Sequence, residues 1–136
     1  MNDLGISVIV FSKDRPFQLS EYLRTLQSYS QNVNLRISVL ANIQPEFEEG
    51  YQLISEMYPD VDIVRETNFG VQLCSLLNND SNDGYLIFGV DDALFCSDIP
   101  WKSATDALAS VPQLQCVHIR LSPGLSFCHP ANSVQV

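Results

Sequence analysis

The chain has 136 residues, 46% of them hydrophobic, and a formal charge of −9 from 16 acidic and 7 basic side chains. That length suits one domain able to bury about two-thirds of its unfolded surface, and the excess of acid argues against a nucleic-acid binder, which needs a basic face. No apolar run approaches the ~18 residues of a membrane span, and Met1-Asn-Asp-Leu-Gly5 lacks the basic start of a secretory signal, so a cytoplasmic chain with no transmembrane segment is expected.

Ile6 to Phe11 is a β-branched run that predicts the first, central strand, interrupted by Ser12-Lys13-Asp14-Arg15-Pro16. Pro16 suits the first turn of a helix, and the spacing of Phe17, Leu19, Tyr22, Leu23 and Leu26 carries that helix to Ser30. A second strand follows at Leu35 to Leu40, ending at Ala41-Asn42-Ile43-Gln44-Pro45. A second helix runs from Phe47 to Met57 and stops at Pro59. Val61 to Val64 predicts a short third strand leading into Arg65-Glu66-Thr67-Asn68-Phe69-Gly70, and Val71 to Leu77 a third helix. After a polar turn, Tyr85 to Val90 reads as a strand buried on both faces. Asp98 is the expected N-cap of a helix through Val111, and Gln115 to Leu121 alternates like a half-exposed strand. The order β-α-β-α-β-α-β, then α-β, predicts a single α/β domain over residues 1–136, with a mostly parallel sheet and helices on both faces.

The fourth strand meets two adjacent carboxylates, Asp91 and Asp92, with Ala93, Leu94 and Phe95 beyond. Like charges side by side resist desolvation, and a hard divalent cation such as Mg²⁺ or Mn²⁺ relieves both the repulsion and the burial. The alternative is a solvated turn with Asp92 capping a following helix. In a sheet of this kind ligands bind beyond the carboxyl ends of the strands. That edge would carry Lys13 and Arg15, suited to a diphosphate, Asp14, suited to a base or ribose, and Asn42, suited to a base edge. Each also reads as a surface or turn residue. Gly70 would allow a positive φ or a close approach to ligand, and Asn68 would cap the third helix. The absence of a glycine-rich loop after the first strand argues against a dinucleotide site or a P-loop. The four cysteines (Cys74, Cys96, Cys116, Cys128) form no Cys-x-x-Cys pair and read as reduced, buried thiols. His118 reads as a structural residue, His129 would reach a metal only if the tail folded back, and Ser126 has no partners for a nucleophile.

Three stretches together resemble the nucleotide-binding half of a GT-A glycosyltransferase: Ile6 to Arg15 with the helix opening Phe17-Gln-Leu, Asn68-Phe-Gly70 before a short helix, and Phe88-Gly-Val-Asp91-Asp92-Ala-Leu-Phe95. The second is similar to the Asn-x-Gly stretch of family 2 transferases and the third to their metal motif. The resemblance implies nucleotide contacts from Phe11, Ser12, Asp14, Arg15, Asn42, Asn68 and Gly70. It implies Asp91 at the ribose or sugar, and Asp92 as ligand of Mn²⁺ or Mg²⁺. It further implies a nucleotide-diphosphate sugar donor and a saccharide or other hydroxyl acceptor. The chain departs from the pattern in having Val-Asp-Asp-Ala for Asp-x-Asp, and Gln72-Leu-Cys-Ser75 where an Arg is usual. Only 44 residues follow Asp92. The expectation is therefore a truncated transferase, or a nucleotide-sugar-binding or scaffold domain without turnover.

Overall fold

The computed structural model describes residues 5–79, 84–119, 127–128 and 132–134. Two compact units divide it, Met1–Asp98 and Ile99–Val136. In the first, β1 (Gly5–Lys13), α1 (Pro16–Ser28), β2 (Asn34–Asn42), α2 (Glu48–Met57), β3 (Asp62–Arg65), α3 (Phe69–Asn79) and β4 (Tyr85–Val90) alternate, with a 3₁₀ turn at Pro45–Phe47 ahead of α2. The strands form a parallel sheet in the order β3-β2-β1-β4. Pro16 occupies the start of α1, where a missing N–H costs nothing.

β1 is the strand buried on both faces: Ile6, Val8, Ile9 and Val10 are all essentially inaccessible. Its alternating side chains sort the helices. On one face Ile9 packs with Leu40 and Leu76 of α3, and Phe11, Leu73 and Leu77 close around them. On the other face lie Val10, Ser12 and, from β4, Gly89, which is met by Tyr22 of α1, while Ser12 is met by Tyr51 of α2. Helices thus cover both faces, as the alternation of elements predicts.

β4 departs from its expected burial. It is an edge strand of this sheet, and α3 packs over β1 and β2, so Leu86 and Phe88 on the α3 face stay 40% and 56% exposed. Cys74, Cys96 and Cys116 are free, as expected, yet exposed rather than buried; apolar neighbours in sequence do not place a residue on the inner side of a helix or loop.

The second unit contains α4 (Trp101–Ser110) and a short antiparallel pair, β5 (Phe127–Cys128) with β6 (Ser133–Val134). Pro100 holds the cap position of α4 with no side-chain cap bond, so Asp98 does not cap it. Residues 115–119 form no strand although their hydropathy alternates, because none of them joins a ladder. His118 lies in that irregular stretch. The rest of the expected strand, Ser126 and His129 lie outside the described residues. No helix of the described residues is long and apolar enough to cross a membrane.

Gly89 is a spacing residue. A Cβ there would stand 2.1 Å from the Tyr22 hydroxyl oxygen and 2.8 Å from its Cζ. Gly89→Ala is expected to destabilise the fold by about 1–3 kcal/mol through overpacking. The measurement is a urea titration, in which the midpoint falls while the slope is kept.

Candidate functional site

Parallel pairing places Phe11 opposite Val90 and Lys13 opposite Asn42, so β1, β2 and β4 deliver their loops to one edge of the sheet. The amide of Asp91 extends the ladder by donating to the Phe11 carbonyl at 3.2 Å. Ala93 N–H returns to the Val90 carbonyl, which closes Asp91 and Asp92 into a tight turn; no helix begins there, so Asp92 is not a cap.

The two carboxylates are treated differently. The Asp91 side chain is 7% exposed and that of Asp92 56%. Oδ2 of Asp91 accepts from the Ser12 hydroxyl at 2.8 Å and from the Lys13 amide at 3.2 Å. The Arg15 guanidinium stands 3.7 Å from Asp91 Oδ1 and 3.6 Å from Asp92 Oδ2, so one cation faces both acids. Among the described residues no group of three or more His, Cys, Asp or Glu side chains gathers as a metal cage. What is present is one exposed carboxylate and, beside it, Oδ1 of a buried one, both facing the Arg15 guanidinium.

The remaining expected residues fall into two sets. Asp14 adopts the left-handed region at φ 55°, which short polar side chains tolerate, and its Oδ1 accepts from the Gln44 amide at 2.8 Å while its own N–H donates to the Asn42 carbonyl. Asn42 donates through Nδ2 to Glu66 at 3.3 Å. Asp14 and Asn42 therefore tie the loops after β1, β2 and β3 together at the same edge as Ser12, Arg15, Asp91 and Asp92.

Phe11 points to the opposite face, its ring 5.5 Å from that of Phe69 and 5.9 Å from that of Phe88, and only its carbonyl serves the Asp91 turn. Asn68 caps α3, Oδ1 accepting from the Val71 amide at 3.1 Å. Gly70 sits in the first helical turn, outside the left-handed region, and a Cβ there would meet nothing nearer than Asn68 Oδ1 at 4.0 Å. Backbone strain therefore does not explain it.

Four side chains to which the sequence assigns no site role also shape this edge. Tyr51 reaches Ser12 Oγ at 2.6 Å and the Arg15 amide at 3.2 Å. Gln72 accepts from the Thr67 and Asn68 amides and donates to the Arg65 carbonyl, which locks the β3–α3 turn. Thr25 of α1 accepts from the Phe95 amide at 3.3 Å, and Tyr22 meets the Phe95 ring at 5.5 Å, so α1 holds the segment after the acids. Tyr51 carried one signal: a tyrosine on a buried helical stripe needs a partner for its hydroxyl.

The fold and this edge define a Rossmann-like α/β unit whose polar side chains converge at the carboxyl end of a parallel sheet. No family model matches the chain. The chain is 34% identical over 136 residues to the bifunctional glycosyltransferase pgtA of Dictyostelium discoideum, covering 94% of this chain and 18% of that protein. Identity at that level across nearly the whole chain supports a relationship to a glycosyltransferase, and the chain spans less than a fifth of the relative's length.

The turn before α3 can be tested without any ligand. Asn68→Ala is expected to cost about 1 kcal/mol, and Asn68→Gly only a few tenths, as for other N-caps. Equilibrium unfolding of the two variants against wild type measures the difference.

Proposed function

We propose that this chain is the nucleotide-sugar-binding part of a metal-dependent GT-A glycosyltransferase, moving a sugar from a nucleotide-diphosphate donor to a hydroxyl of a saccharide or other acceptor. One juxtaposition carries the reading: the open carboxylate of Asp92 stands at the ligand edge of the sheet, next to a buried Asp91 and within 3.6 Å of a guanidinium. The relationship to a bifunctional glycosyltransferase supports it.

The donor set suits Mn²⁺ or Mg²⁺ shared with a substrate. Such ions take one or two protein carboxylates and complete their shell with water and phosphate oxygens, so an all-protein cage is not needed. Asp92 would hold the ion. When bound, the ion acts as a Lewis acid on the diphosphate, lowering the cost of its departure by several kcal/mol.

The chain's own residues supply the rest. Arg15 would add fixed positive charge where the leaving diphosphate gathers negative charge, and the exposed Lys13 ends β1 two residues before it. Asp91 would face the ribose or sugar, and Asp14 and Asn42, in joined loops, the base. The acceptor oxygen then bonds to the anomeric carbon as the sugar–phosphate bond breaks, and the hydroxyl proton leaves to a base.

The test is a thermal-shift panel of UDP-, GDP-, CDP- and ADP-sugars with and without Mn²⁺. The expected outcome is a Mn²⁺-dependent rise confined to one base, corresponding to about 2.7 kcal/mol at a ligand concentration of 100 Kd. Asp92→Ala is expected to abolish that dependence while leaving the unliganded midpoint nearly unchanged, since the side chain is exposed. A shift that survives in Asp92→Ala, or none with any donor, would reject the reading.

A further inference from the structure

Tyr51 lies on α2, far in sequence from the end of β1, yet its hydroxyl meets both Ser12 and the Arg15 amide there. The direction of each hydrogen bond follows from the inventory of donors. Ser12 has one hydroxyl proton and gives it to Asp91 Oδ2 at 2.8 Å. Its oxygen must then accept at 2.6 Å from the Tyr51 hydroxyl, whose own oxygen accepts from the Arg15 amide at 3.2 Å. The result is a chain with every donor aimed one way, from Arg15 N–H through Tyr51 and Ser12 to the Asp91 carboxylate. Ser12, Tyr51 and Asp91 are 6%, 3% and 5% exposed, so water does not compete with these bonds.

A second observation, independent of the first, concerns how α2 comes so near. A Cβ at Gly50 would stand 2.6 Å from Pro16 Cγ and 2.8 Å from Pro16 Cβ. Only glycine lets α2 close on the start of α1 at the point where the next residue, Tyr51, meets Arg15.

We infer that Tyr51 is a positioning residue of the donor site, setting the Arg15 backbone directly and the Asp91 carboxylate through Ser12. The Arg15 backbone and the Asp91 carboxylate are therefore both held by one phenol. The inference rests on the donor-site reading above, and it adds a residue which that reading does not use.

The test compares Tyr51→Phe, Gly50→Ala and Tyr58→Phe with wild type. Tyr51→Phe keeps the ring and removes the hydroxyl. Tyr58→Phe removes the hydroxyl that donates to the Ser20 carbonyl at 3.3 Å, a tyrosine bond from the C-cap of α2 to α1 that touches neither acid. Isothermal titration with UDP, GDP, CDP and ADP, each with Mn²⁺, is expected to show binding of the preferred nucleotide weakened about five- to tenfold in Tyr51→Phe, the worth of one hydrogen bond. Gly50→Ala is expected to shift binding in the same direction, and Tyr58→Phe to lower only the melting temperature. Amide exchange, read without ligand, is expected to speed up at Arg15 and Lys13 in Tyr51→Phe and to stay unchanged at Val8 to Val10. Wild-type binding with undiminished affinity in Tyr51→Phe, equal loss in Tyr58→Phe, or unaltered exchange at Arg15 overturns this inference alone. Failure of wild type to bind any of the four overturns the donor-site reading and this inference with it.

Discussion

A carboxylate taken out of water needs donors to replace its hydration, and Asp91 is almost wholly withdrawn from solvent at the end of β4. Its donors are the Ser12 side chain and the Lys13 amide, both from the end of β1. One side chain on the edge strand thereby dictates the path of the loop on the central strand. That loop turns through a left-handed Asp14, and the Arg15 carbonyl beyond it accepts the first helical bond of α1, from Leu19 N–H. The start of α1 is thus set by the same acid that closes the sheet edge.

The helices answer the same demand by approaching unusually close. Gly50 and Gly89 turn no corner; each removes a Cβ where another chain segment already lies. At one, Pro16 presses on α2, and at the other, Tyr22 lies over β4. With Thr25 and Tyr22 also reaching Phe95, α1 brackets the Asp91–Asp92 turn from its first turn to its third. Close packing transmits position because interiors of native density leave no slack.

Local composition carries strand and helix identity well here. A β-branched run marks β1, Pro16 marks the start of α1, and Tyr85 to Val90 matches β4 residue for residue. Burial is a property of what lies across the sheet, which explains why an apolar run such as β4 was expected to be covered on both faces and is not. The same reason separates Cys74, Cys96 and Cys116 from their apolar neighbours, and residues 115–119 from any ladder. In the site, the adjacent acids and the charged loop after β1 were legible because their residue types are unusual at strand ends. Tyr51 was not: it fits the apolar stripe of α2, and its partners stand 36 and 39 residues away. The motif stretch Asn68-Phe-Gly70 was legible as a cap, while the glutamine that locks it reads as an ordinary helical surface residue.

Asp91 and Asp92 are the same chemical group one residue apart, and only their place in the sheet divides them into a buried anchor and an open ligand. Side chains alternate faces at the end of a strand, so a slip of one residue would exchange the two roles. The ladder from Ile6–Tyr85 to Phe11–Val90 holds the register, but ladder bonds alone are indifferent to which residue pairs with which. The Tyr22 ring is not indifferent: it leaves no room for a Cβ at the position opposite Val10, and of the six residues of β4 only Gly89 lacks one. A steric constraint between α1 and β4 thus selects the register, and the register selects which acid faces the Ser12 hydroxyl and which faces solvent.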